Sequence, residues 1–168
     1  MGAVVDVMNS LPWTTVSTTM IRQTSTELEV TSNCPSQYKP EVALAADSSG
    51  HTMSRVDTTP QAMSICRYDL DTDPDNTVSV GGSAHSSGVL TSAGSLDAKA
   101  GGEFLAAVAD AWPADDCDKP DAPFAVVAGQ DGHGPTVTVE LGGCYRALLD
   151  GDTMLRQLNQ KTVDILLT

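Results

Sequence analysis

Four cysteines, Cys34, Cys66, Cys117 and Cys144, are spread one to a segment over an acidic chain, and none forms the C-x-x-C pair of a structural zinc site. An even set of dispersed cysteines in a small chain reads as two disulfides, which form and persist in oxidising compartments. The protein is therefore expected to be exported, to the extracellular space or the cell envelope. Four cysteines allow three pairings. The expected one joins Cys34 to Cys66 and Cys117 to Cys144, because Cys117 follows an amphipathic helix and Cys144 ends a hairpin that leads back beneath it. Closed loops of that length stabilise by roughly 3 to 4 kcal/mol each in the chain-entropy account.

The chain is long enough, at 168 residues with 40% hydrophobic content, for one domain with a hydrophobic core. Its charge is unusual: nine Lys and Arg stand against twenty-two Asp and Glu, a net charge of -13. A field of that sign repels phosphate backbones and anionic lipid heads, so no nucleic-acid partner is expected. Cationic groups or metal ions are favoured, and the acidity also keeps an exported protein soluble. No apolar run reaches the roughly twenty residues of a membrane span. Residues 1–10 have neither the basic nor the apolar region of a signal peptide. On this reading Met1 and Gly2 are an addition in front of a mature or truncated ectodomain.

Residues 1–32 read as a Thr/Ser-rich extended segment containing Trp13, with a short alternating strand at 27–31. Residues 33–168 read as a single α+β domain: an antiparallel sheet with two main amphipathic helices packed on it. Within it, the apolar run 42–46 suggests a strand, as do 62–70 and 77–81. A stripe of Leu96, Ala100, Phe104, Val108 and Trp112 predicts a helix over 96–112, ended by Pro113, with Trp112 facing the core. Gly101 and Gly102 cost that helix about 1 kcal/mol each relative to alanine, so packing must hold it. Residues 124–128 and 136–141 flank a Gly-rich turn, and the alternation of Val137, Val139 and Leu141 against Thr138 and Glu140 marks a hairpin. Gly142-Gly143 then allows a bend before 144–149. A second helix is expected over 153–167, with Asp152 as N-cap and Leu155, Leu158, Thr162, Ile165 and Leu166 on one face. The similar stretches Thr77-Val-Ser-Val and Thr136-Val-Thr-Val suggest a weak internal β-β-β-α duplication.

Candidate chemistry is sparse. Asp69, Asp71, Asp73 and Asp75 place oxygen ligands at alternate positions, as a calcium loop does. Counted from Asp71, however, the sharp-turn glycine is replaced by Asn76 and the twelfth position is Gly82 instead of glutamate. From Asp69, Pro74 occupies the turn and Val80 the end. Neither register is an EF-hand, which leaves a non-standard calcium site or a solvated turn. Asp115, Asp116, Asp118 and Asp121 form a second acidic cluster around Cys117. His51, His85 and His133 lack zinc spacing. Ser83, Ser86 and Ser87 lie close to His85, but no G-x-S-x-G elbow occurs. The glycine pairs have neither a phosphate-loop ending nor a dinucleotide fingerprint. No catalytic or cofactor-binding residue emerges.

The run Ser64-Ile-Cys-Arg-Tyr68, the helix from Asp97 to Trp112, the hairpin strand and Gly143-Cys-Tyr-Arg146 resemble small exported or lipoprotein-type domains of actinobacteria, over about residues 60–168. The resemblance implies an envelope location and an α+β fold, and assigns no functional residue. The expected function is a non-enzymatic binding or sensory module of the cell envelope, for a protein or small-molecule ligand, acting through loops such as 69–76 and 130–135. The alternatives are a secreted protease inhibitor, with Arg67 or Arg146 beside a cysteine as the residue offered to the protease, and an enzyme of unrecognised type.

Overall fold

The computed structural model describes residues 32–48, 50–80 and 82–168. Trp13, the strand expected at 27–31 and nearly all of the Thr/Ser-rich segment lie outside the described residues. In chain order the elements are β1 (Gln37–Tyr38), α1 (Glu41–Ala46), β2 (Met63–Leu70), β3 (Thr77–Val80), β4 (Ser83–Ser86), β5 (Gly88–Leu96), α2 (Ala98–Asp110), β6 (Trp112–Pro113), β7 (Phe124–Gly129), β8 (Thr136–Glu140), β9 (Arg146–Leu149), β10 (Arg156–Gln157) and α3 (Gln160–Ile165). Eight strands form one antiparallel sheet in the order β1-β5-β2-β7-β8-β9-β10-β6, and β3 and β4 form a separate hairpin. The α+β fold and both disulfides, Cys34–Cys66 and Cys117–Cys144, are as expected.

Strand alternation divides the core between the two faces of the sheet. Met63 and Ile65 of β2, Ala125 and Val127 of β7, Val137 and Val139 of β8, and Ala147 and Leu149 of β9 point one way. They meet Phe104, Leu105 and Val108 of α2, Val163 of α3 and Leu166 at its C-cap. On the opposite face Tyr68, Phe124 and Leu90 pack around the buried Cys34, with the Tyr68 and Phe124 rings stacked at 5.3 Å. Further along that face Val42 of α1 covers Leu148 of β9 together with Leu155. Thr138 and Glu140, which sequence alternation assigns to a polar face, are buried there because α1 packs over β8 and β9.

Helix α2 forms within the expected 96–112 but spans Ala98–Asp110, with Leu96 ending β5 and the Asp97 carboxylate accepting from the Ala100 N–H at 2.8 Å as N-cap. Its glycines have a packing reason. A Cβ on Gly101 would lie 2.0 Å from the Gln61 carbonyl oxygen, and one on Gly102 would press on Pro60 at 3.1 Å. The helix therefore lies against the backbone that leads into β2.

Three expectations are corrected. Residues 42–46 belong to helix α1 and not to a strand; Pro40 precedes that helix, and Val42 and Ala43 bury on one side of it. Trp112 is 81% exposed and is no core residue. Ala111 leaves the helix at φ -70° and ψ 141°, and Pro113 disfavours helical backbone at the residue before it, so Trp112 falls out of the helical phase onto edge strand β6. The second helix begins at Gln160, capped by Asn159 and not by Asp152, and is six residues long. Leu155 faces the α1 side and Leu158 the α2 side, which is what a three-residue offset does in extended chain. Asp152 is buried instead, accepting from the Ser54 N–H at 2.8 Å and standing 3.4 Å from the Arg156 guanidinium. The two similar Thr-Val stretches occupy different sheets, 77–80 in the hairpin and 136–140 in the main sheet.

Candidate functional site

On the α1 side of the sheet a cleft of about 560 Å³ opens between the end of α1, the hairpin strand β4, the loop 114–121 and the segment 153–155. Each wall has its own fastening. The Cys117–Cys144 disulfide ties the loop to the turn after β8, where Gly143 and Tyr145 both adopt positive φ. The segment 50–54 is zipped to 152–154 through Thr52, whose N–H donates to the Thr153 hydroxyl at 2.8 Å and whose carbonyl accepts from Thr153 and Met154.

The walls carry Asp47, Asp115, Asp116 and Asp121 against Lys119 and Arg146, with His51 and His85 among them. Arg146 is committed elsewhere. Its Nε and a terminal nitrogen donate to the two oxygens of Glu140 at 2.9 and 3.0 Å, and its own N–H adds a third bond at 3.0 Å. This buried fork, above all the Glu140 hydrogen bond, outweighs desolvation and raises the guanidinium pKa still further, with Asp121 and Asp47 adding to the same effect. The cleft is therefore acidic at its rim, with a neutralised ion pair at its floor.

His85 is the centre of this arrangement. Its Nε2 lies 2.5 Å from the Asp47 carboxylate and its Nδ1 lies 2.6 Å from that of Asp121. A neutral imidazole carries one N–H, so two such bonds require the imidazolium. Desolvation opposes that charge, but the hydrogen bonds from Asp47 and Asp121, together with their charges, outweigh it and place the pKa above the ordinary histidine value. His85 stands on β4, while Asp47 comes from the C-cap of α1 and Asp121 from the loop before β7, 38 and 36 positions away. No local pattern links them.

His85 therefore has no free ring nitrogen to serve as a base for Ser83, Ser86 or Ser87. The second acidic cluster contributes Asp115, Asp116 and Asp121 to the cleft, while Asp118 is outside its lining. Asp69, Asp71, Asp73 and Asp75 do not converge. Asp71 accepts from the Asp73 N–H at 2.9 Å and from the Asn76 amide at 2.6 Å, and Asp73 accepts from the Asp75 N–H at 2.9 Å. Asn76, with the Asp73 N–H, holds the Asp71 carboxyl below the usual carboxylate range. Asp69 lies within β2, opposite Val89 of β5, and Asp71 to Asn76 form a self-capping turn between β2 and β3. Among the described residues no three His, Cys, Asp or Glu side chains form a group that could hold a metal ion.

The loop 130–135 is the tip of the β7–β8 hairpin, and neither it nor 69–76 lines the cleft. His133 sits in that tip, its N–H bonded to Asp131 at 2.9 Å. Neither candidate inhibitor arginine is offered on a loop. Arg67 lies within β2, and its Nε donates to the Leu166 carbonyl at 2.6 Å while a terminal nitrogen reaches the Thr168 carbonyl at 3.0 Å. Arg146 is buried. No helix among the described residues is long and apolar enough to cross a membrane, and the two disulfides point to an oxidising environment. No family model, curated protein or solved structure matches the chain.

Proposed function

We propose that this protein is an exported, non-enzymatic binding module of the cell envelope, and that its ligand surface is the acidic cleft, which takes a cationic group such as an ammonium or a guanidinium. The observation that carries this reading is the composition of the walls: four aspartates line the cleft, and of the three cations there Arg146 is already paired with Glu140 and the His85 imidazolium is shared by Asp47 and Asp121, which leaves Asp115 and Asp116 against Lys119 alone. Concave surfaces lined by one sign of charge concentrate the field and draw in ions of the opposite sign. The walls are held by a disulfide and by hydrogen bonds between distant segments, so a ligand meets a preformed surface. A histidine saturated by two carboxylates supports binding over proton-transfer chemistry.

Backbone amide shifts on titration with spermidine and with a tri-lysine peptide test the reading, with citrate as the anionic control. Shifts concentrated at 45–51 and 114–121 that weaken in Asp115→Asn/Asp116→Asn support it. Shifts spread evenly over the acidic surface, or unchanged by that substitution, overturn it.

A further inference from the structure

The β3–β4 hairpin is separate from the main sheet, and none of the described side chains from Thr77 to Ser86 is buried. Apolar packing therefore contributes little to its position. At its base Asn76 and Ser87 exchange a backbone bond, Ser87 N–H to Asn76 carbonyl at 3.1 Å, and the Asp71 N–H donates to the Ser87 carbonyl at 2.8 Å. Beyond that base, the side-chain hydrogen bonds that fasten it to the body of the protein, among the described residues, are those of His85, whose side chain is only 13% exposed between Asp47 and Asp121.

We propose that His85 is a proton-controlled latch: as the imidazolium it fastens the hairpin to Asp47 and Asp121 along the wall of the cleft, and on losing one proton it releases one of the two carboxylates and frees the hairpin. With both ring nitrogens within 2.6 Å of carboxylate oxygens, removing either proton sets a nitrogen lone pair against a carboxylate oxygen at contact distance, and that bond turns from charge-assisted attraction to repulsion. The released carboxylate then adds an unpaired negative charge to the cleft. The latch stands on this geometry and holds whichever ligand the cleft accepts.

The other charged groups around the latch are Arg146 with Glu140 on the floor, and Asp115, Asp116, Lys119 and His51 on the walls. Arg146, its pKa raised by Glu140, stays charged throughout and does not itself switch. Because the folded pKa of His85 is raised, the latch contributes its full stabilisation below the ordinary histidine pKa of about 6.5 and loses it as pH rises through the raised value. The hairpin is held in mildly acid solution and released toward the alkaline side.

The test combines imidazole nitrogen NMR with amide exchange, corrected for intrinsic rates, across that pH range. At pH 6 both ring nitrogens of His85 should carry protons, and its titration midpoint should lie above 6.5, the ordinary value. Protection of the hairpin amides should fall on the order of tenfold as His85 deprotonates, the loss of one charge-assisted bond, while amides of β7 and β8 stay unchanged. His85→Ala, which lacks both bonds, should show protection at or below the released level at every pH. Asp47→Asn and Asp121→Asn, which keep the histidine, should each lower its midpoint, and His51→Gln should leave it in place. A single protonated ring nitrogen at pH 6, or hairpin protection in His85→Ala equal to wild type, overturns the latch.

Discussion

Arg146 and Glu140 are held in a two-bond fork on a face of the sheet that α1 covers, with side chains only 9% and 5% exposed. Between them they set the floor of the cleft and anchor the turn that carries Cys144. An ion pair in such a place stabilises less than its Coulomb attraction suggests, because both charges have left water, but removing one partner strands the other. Glu140→Gln should therefore lower unfolding free energy by about 3 kcal/mol, measured by denaturant titration. Glu140→Leu/Arg146→Met should come back to within about 1 kcal/mol of wild type. A loss in the double variant equal to the sum of the two single losses would show that the pair is not coupled.

Gly101 should not tolerate alanine. Helix propensity favours the substitution by about 1 kcal/mol, yet the added methyl would sit 2.0 Å from the Gln61 carbonyl. Overpacking of this kind costs about 1 to 3 kcal/mol, and backbone is the least able to give way. Gly101→Ala should lower the melting temperature, and Gly102→Ala, with its longer 3.1 Å approach to Pro60, should lower it less. A rise in both would mean that propensity outweighs the contact.

The disulfides should be separable in their effects. Cys117→Ala/Cys144→Ala opens a loop spanning 27 residues and should cost roughly 3 to 4 kcal/mol, and it should also loosen the wall that carries Asp115 and Asp116. Cys34→Ala/Cys66→Ala should cost at least as much, because Cys34 is 1% exposed among aromatic rings and its truncation leaves a cavity besides. Melting of each variant under oxidising conditions measures both. An unchanged melting temperature would remove the structural role of that bridge.

Trp112 should report as a surface residue. Trp112→Ala should change stability by no more than about 0.5 kcal/mol, against the roughly 3 to 5 kcal/mol lost when a core tryptophan is truncated. In a Trp13→Phe background, where Trp112 is the sole tryptophan of the two, its fluorescence should be readily quenched by acrylamide. A blue-shifted, unquenched emission would return it to the core.

What the sequence determined by itself is local. The β7–β8 hairpin follows from a two-residue alternation around a Gly-rich turn, and α2 from a four-residue stripe capped by Asp97, because neighbouring residues decide those periodicities. The pairing of the cysteines was one of three that the sequence allowed, and the fold decides it by bringing Cys34 to Cys66 and Cys117 to Cys144. Beyond such stretches the tertiary structure decided the outcome. Leu155 and Leu158 fit a helix by spacing, but two different cores draw them to opposite faces and force extended chain. Trp112 fits the α2 stripe until Pro113 turns it out, and Glu140 reads as surface until α1 covers it. The cleft was the least legible feature, since its centre joins Asp47, His85 and Asp121 from three elements that no sequence period connects. Charge pairing at 2.5 Å is a property of folded distances, and only the packing of α1, the hairpin and the disulfide-bound loop brings those three side chains within reach of one another.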